Sequence, residues 1–404
     1  MSDTEILPIG SMVPLTGPSA ADGVEFRNGV IMAVEEINGR GGVLGKKLKP
    51  FFVDTGRQSV EEMARATHKL IEQYGVHAII NGYNIGSQNS EYEAIADAGI
   101  IYIHTNTLLQ HHDTVMSDPQ RYFGCFMSDP AEYWYGQGLI KFISWLRDSK
   151  QWRPRNNHIA IISGAKPYSI VIAQAVATAA PHFGWVVTSG PHIVTNPASG
   201  WVDAIDQTRA GTPSVLVNTH YFAGDLARFQ QEFVAKPMDC IVYLQYGAIH
   251  QSFVDLAGEA ARGIIVSSMI GTLRDQMGQQ FRQTYLERFG SGSTPLVGSQ
   301  TYAATLHYAL AVAQAGGSSG PGGADQNRIV ADRLKNTIFR SVVGTIRYHA
   351  GWQAAVPYPD ATDDPSLGMP HLFYQIQELD EERALIAPEP YNTSQFKLPP
   401  WMQK

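Results

Sequence analysis

Cysteine is scarce: Cys125 and Cys240 are the only two in 404 residues. Neither has a C-x-x-C partner or any other metal-ligand spacing, which excludes a zinc ribbon or a paired-thiol redox motif. That leaves one long-range disulfide or two free thiols, and burial, the common fate of free cysteine, favours the thiols. Long apolar runs are also missing. No window reaches the roughly eighteen residues that suggest a membrane span, so no direct membrane insertion is expected. Positive charge is in deficit, with 30 Lys and Arg against 37 Asp and Glu and a formal net charge of −7. That balance argues against nucleic acid or an anionic membrane surface as partner. The opening "MSDTEILPIG" has neither a basic n-region nor an apolar h-region. No export signal is therefore read in it, and the chain is either cytoplasmic or a mature domain behind a new start Met.

Catalytic motifs are missing as well. There is no G-x-S-x-G and no P-loop. "GRGGVLGKK" follows a helical pattern instead of a strand, so its glycines read as a helix C-cap and turn with nothing to hold a phosphate. His104, His111 and His112 in "HTNTLLQHHD" invite a metal or acid–base reading, but H-E-x-x-H is absent and adjacent histidines cannot share one helical face. Lys166 has no accompanying base. No enzyme, metal site or cofactor is expected.

What is present is a repeating grammar in a composition ordinary for a globular protein, 44% apolar and 17% charged. Short β-branched runs end in small or aromatic residues, and an amphipathic helical pattern follows each. "ILPIGSMVPLTG", "LKPFFVDTG", "VHAIINGYN" and "IIYIHTNT" are the runs of the first block, residues 5–125. "HIAIISGAK", "SVLVNTHYFAG", "CIVYLQYGA" and "GIIVSSMIG" are those of the second, 157–270. Runs apolar on both faces and separated by helices predict parallel sheets covered by helices on each side. Helical patterns at 272–289, 299–315 and 327–337 and strand-like pieces after them imply that two lobes exchange chain late. The expected division is 1–125 with 271–341, and 126–270 with 342–404. The proline-rich end, "IAPEPYNTSQFKLPPWMQK", is expected to wrap the surface.

In open parallel sheets ligands bind beyond the carboxyl ends of the strands. Those positions hold Ser11 to Gly17, Tyr83 to Ser87 and His104 to Asn106 in the first block. In the second they hold Lys166 to Ser169, Asn218 to Phe222, and Gln245 with Tyr246. Hydroxyls, amides and rings dominate, a lining suited to a small organic molecule. Of the aromatic run Tyr133, Trp134 and Tyr135, Trp134 is the candidate and its neighbours are expected in the core.

The order and spacing of these segments resemble the type I periplasmic-binding-protein fold, in the leucine/isoleucine/valine branch and its amide- and urea-binding relatives. "IGSMVPLTGPSAADGVEFRNGVIMAVEEINGRGGVLGKKLK" resembles the family's opening; "RYFGCFMSDPAEYWYGQG" and "VVGTIRYHAGWQ" resemble its first and last hinge crossings. The resemblance implies a two-lobed α/β protein with three hinge crossings. Such a protein closes on a solute without chemistry, and an ABC transporter permease reads the closed form. It implies a periplasmic location, the alternative being a cytoplasmic amide-type sensor of the same fold. Carried over residue by residue, it points to Ser87, with Tyr83 and Asn84 beside it, and to His104, Thr105, Asn106, Tyr168 and Tyr221. Where amino-acid binders place an acid to pair with the ligand's ammonium, this chain has Gln245 and Tyr246. The expected ligand is thus an amide, a urea-like compound or a small aromatic acid rather than an α-amino acid. An anionic ligand would draw on N–H groups and a protonated His104.

Overall fold

The computed structural model describes residues 6–84 and 89–403. The chain opens with β1 (Ile6–Val13), α1 (Ala20–Gly39), β2 (Lys47–Asp54), α2 (Val60–His68), β3 (Ala78–Ile80), α3 (Tyr92–Ala98), β4 (Ile101–His104), α4 (Gln110–Ser117) and β5 (Cys125–Met127). Next come α5 (Tyr133–Asp148), β6 (His158–Gly164), α6 (Pro167–Ala179), β7 (Val186–Val194), α7 (Pro197–Arg209), β8 (Val215–Asn218), α8 (Ala223–Ala235), β9 (Ile241–Leu244), α9 (Gln251–Ala257) and β10 (Ile265–Ser268). Three helices follow: α10 (Gln276–Phe289), α11 (Pro295–Ala315) and α12 (Ala324–Asn336). Short strands close the chain: β11 (Phe339–Ser341), β12 (Gly344–Ile346), β13 (Pro357–Tyr358), β14 (Met369–Pro370), β15 (Leu372–Gln375) and β16 (Ala384–Ala387).

These elements form two compact units, 1–131 with 270–370 and 132–269 with 371–404. The chain changes unit three times, as the resemblance implied. The expected boundary at 341 falls too early: residues 342–370 belong to the first unit. The cause is apolar burial, since Ile346, Tyr348, Ala355 and Met369 join the core formed by Ile9, Val30, Ile103 and Tyr308.

The first unit carries a five-stranded sheet in the order β2-β1-β3-β4-β5, with every pairing parallel. β3 and β4 are wholly buried, which explains why they read as unbroken apolar runs. The second unit carries seven strands in the order β16-β15-β10-β9-β8-β6-β7. Its first five strands in the chain, β6 to β10, run parallel, while β15 pairs antiparallel with both β10 and β16. The proline-rich end does more than wrap: Phe396 and Met402 pack on the second core, and Trp401 Nε1 donates to the Cys240 carbonyl at 2.9 Å. Cys125 and Cys240 are both buried and free, and burial pushes both thiols up.

Candidate functional site

The strand ends of the first unit separate into ties and unsatisfied groups. Ser11 Oγ donates to the Ile80 carbonyl at 2.6 Å, and the Met12 N–H donates to Asn81 Oδ1 at 2.8 Å, so both side chains lock β1 to β3. The loop after β1 is pinned by Asp54, which accepts from the Leu15 N–H at 2.9 Å, the Gly56 N–H at 2.9 Å and the Thr16 hydroxyl at 2.8 Å. Burial pushes that carboxyl up, but these donors outweigh it and hold it below its ordinary value. Tyr83 is half-buried, hydrogen-bonded to Asp22, with its ring edge-on to Phe26 at 5.1 Å. Asn84 is buried and donates to the Glu91 carboxylate at 3.3 Å. Ser87 lies outside the described residues.

His104 sits in a buried relay whose polarity follows from its ends. His111 Nε2 is 2.8 Å from the Trp352 carbonyl, which can only accept, so Nε2 carries the proton. His111 Nδ1 then accepts from the Tyr92 hydroxyl at 2.7 Å. With its own proton committed, Tyr92 accepts from His104 Nε2–H, and His104 Nδ1 accepts the Asn106 N–H at 3.0 Å. Every link is satisfied with both rings neutral. Burial, then the neighbouring His111, holds His104 well below the ordinary imidazole range. Burial, then His112, lowers His111 to about 3. The expectation of a protonated His104 is therefore corrected: the ring braces the backbone at Asn106 as a neutral acceptor.

Just past this brace are polar atoms with nothing to bond. Thr105 Oγ1 and Asn106 Nδ2 are buried without a partner, as are, ahead of α3, both amide atoms of Asn89. So is Asp129 Oδ2, beyond the end of β5. Leaving such a group unpaired costs about 1–3 kcal/mol. Asp129 and Asn89 were not among the sequence candidates. The strand-end rule itself would have found Asp129, had "RYFGCFMSDP" been read as the last strand of the first sheet rather than as a crossing.

In the second unit the ring-bearing candidates gather in part. Trp134 is the second residue of α5, with its ring 4.9 Å from that of Tyr133. Trp134 and Tyr168 both pack on Tyr135, Ile172 and Met269, of which Tyr135 is fully buried. Tyr168 enters α6 directly after Pro167, with its ring edge-on to Tyr221 at 5.4 Å. Tyr246, next to His250 at 5.1 Å, holds a φ of 40°. Gln245 is fully buried, and its amide is occupied at both ends: Oε1 accepts from the Tyr243 hydroxyl and Nε2 donates to the Tyr168 hydroxyl at 2.9 Å. Tyr243 accepts in turn from Ser267 Oγ at 2.7 Å, and Ser267 from His371 Nε2 at 2.8 Å. Gln245 thus fixes the hydroxyl end of Tyr168.

A family profile described as periplasmic binding protein matches residues 7–357. A crystal structure from Silicibacter pomeroyi, assigned as a branched-chain amino acid ABC transporter, is 43% identical. It superposes with a TM-score of 0.96 over 98% of this chain and 100% of its own. The isoleucine complex of the substrate binding protein LivJ from Streptococcus pneumoniae shares the fold, at 16% identity and a TM-score of 0.70 over 95% of this chain and 100% of its own. The Leu/Ile/Val-binding protein BraC3 of Rhizobium johnstonii is 30% identical over 97 residues, which is 24% of this chain and 26% of that protein. That match spans about a quarter of the curated relative's length. Among the described residues no helix is long and apolar enough to cross a membrane.

Proposed function

The chain belongs to the periplasmic binding protein family, and from that premise we propose that it is the extracytoplasmic solute-binding component of an ABC importer. It closes its two lobes on a small organic ligand and presents the closed form to permease subunits. The ligand is an amide, a urea-like compound or a small aromatic acid rather than an α-amino acid. The observation that supports this choice is Gln245, which with Tyr246 stands, by the resemblance, where the family's amino-acid binders carry an acid. Its amide is neutral, buried and already bonded at both ends, so it offers an ammonium no counter-charge. The second unit's strand ends instead offer the rings of Tyr168, Tyr221 and Tyr246, flat surfaces for a planar ligand. The left-handed backbone of Tyr246 costs a side-chain-bearing residue about 1–2 kcal/mol, and such strain gathers at binding sites. The branched-chain amino acid names of the relatives pull the other way, which makes the ligand class the point to test.

A thermal-shift screen of amides, ureas, benzoates, cinnamates and amino acids should give its largest shift with a compound that is not an amino acid. A clear leucine or valine shift would sink the choice of ligand class while leaving the transport role standing. Replacing Tyr168 and Tyr221 together by Ala should abolish the shift. Binding that survives the double change would mean that these rings do not hold the ligand.

A further inference from the structure

Asp129 lies two residues past the end of β5, and Asn106 lies two residues past the end of β4. The strands run parallel in the register that sets His104 against Met127, and the Ser128 N–H extends the ladder to the His104 carbonyl at 2.8 Å. Parallel neighbours stand about 4.8 Å apart, so the residues that leave β4 and β5 here, Thr105, Asn106 and Asp129, start from adjacent points of the sheet's carboxyl end. Asp129 is 1% exposed, and its Oδ2 has no partner, like Thr105 Oγ1 and Asn106 Nδ2. Of these three side chains the amide nitrogen can only donate, and the hydroxyl can donate.

We propose that Asp129 is a hydrogen-bond donor to the solute and that, with Thr105 and Asn106, it selects a carbonyl-type acceptor end: an amide, a urea or a carboxylic acid. The inference rests on the solute-binding reading and names the chemistry of one end of that solute. Asp129 can donate only as the neutral acid. Burial with no compensating cation pushes its carboxyl well above the usual range. Two titratable groups of the same unit, Tyr348 and His104, are uncharged too. The Tyr348 phenol is raised by its own burial and by Asp129, and His104 is held neutral by burial and its relay. An ionised Asp129 would instead be an acceptor suited to an ammonium, so the two ligand classes predict opposite pH dependences.

The test uses benzamide and benzoate as probes, titrated calorimetrically into the full chain, Asp129→Asn and Asp129→Ala from about pH 5 to about pH 9. Asn keeps an N–H donor, so Asp129→Asn should bind within about threefold of the unmodified protein, while Asp129→Ala should bind about tenfold weaker or worse. The unmodified protein should lose affinity as pH rises and Asp129 ionises; Asp129→Asn should not. An infrared difference spectrum between the protein and Asp129→Asn should show the carbonyl stretch of a protonated acid, with no probe present. Unchanged binding by Asp129→Ala, affinity that rises with pH, or the absence of that band would each overturn the donor role. If no compound of the wider screen binds the unmodified protein, the solute-binding reading falls and the donor role falls with it, whereas binding without the infrared band overturns the donor role alone.

Discussion

His111 shows how a single side chain in this protein is held by its neighbours' hydrogen-bonding options. Its Nε2–H donates to the Trp352 carbonyl, and its Nδ1 accepts from the Tyr92 hydroxyl. Protonating the ring would set two donors against each other at Tyr92, and burial makes the charge costly in any case. The folded ring therefore resists protons down to about pH 3, and His112 beside it down to about 4. The unfolded chain binds them near the ordinary 6.5. Because the unfolded state takes up more protons, this contribution is complete above pH 6.5 and is lost as pH falls toward the folded values. Melting temperatures should drop between pH 7 and pH 5, and His111→Gln, whose amide can copy both bonds, should flatten that slope. An equal slope in the two proteins would mean that other groups carry the acid sensitivity. Removing the central hydroxyl with Tyr92→Phe takes away two bonds of the relay and leaves only the 3.3 Å contact of His104 Nε2 with His111 Nδ1, and should cost about 1 kcal/mol in urea melts. None of this was legible in the sequence. His104 stands out there as a strand-end residue, but its use depends on Tyr92 and Trp352, which only the fold brings to it.

Among the elements, α1 and α11 approach each other backbone to backbone at Gly29. A β-carbon on Gly29 would stand 2.1 Å from the Gly298 carbonyl and 2.4 Å from Thr301 Oγ1. Thr301 cannot swing away without giving up its 2.8 Å bond to the Phe26 carbonyl. In an open helix Gly→Ala gains about 1 kcal/mol. Here Gly29→Ala should instead lose about 2–3 kcal/mol through overpacking, measured by urea denaturation, and a neutral or stabilising result would mean that the two helices can part freely. Element identity was widely legible wherever strands are buried on both faces, as with β3, β4, β8 and β9. β7 escaped because it is an edge strand, alternately exposed and broken by Gly190-Pro191, so it carries neither an apolar run nor a clean period. β11 and β14 are three and two residues long, too short to show any period. The strand-end rule picked out the rings of the second unit as candidates because aromatic residues announce themselves. It passed over Asp129 because β5 has only three residues and its end was absorbed into the crossing.

At the scale of the whole chain, discontinuity decides which pieces can stand alone. Residues 1–131 contain the entire first sheet, so a fragment ending there would seem self-sufficient by strand count. It is not so by burial. The core face formed by Ile9, Val30, Ile101, Ile103 and Phe126 is closed by Tyr302, Tyr308, Val312, Val330, Leu334, Ile346 and Tyr348, all from 270–370. At about 2 kcal/mol for each buried side chain, losing those seven forfeits on the order of 15 kcal/mol, as much as a typical domain's entire net stability. The open edge of β5 is also covered from that later segment. The Met127 N–H donates to the Gln353 carbonyl at 2.9 Å, the Ala355 N–H donates to the Met127 carbonyl at 2.9 Å, and Gln353 Nε2 reaches the Cys125 carbonyl at 2.6 Å. Stripped of these, the edge offers unpaired groups to other chains. Fragment 1–131 should therefore show no cooperative melt by circular dichroism and should aggregate when concentrated, whereas co-expression with 270–370 should recover a soluble pair. A sharp, reversible melt of 1–131 alone would show that the early strands and helices hold a core of their own and that the late return of the chain serves only to place its strand ends.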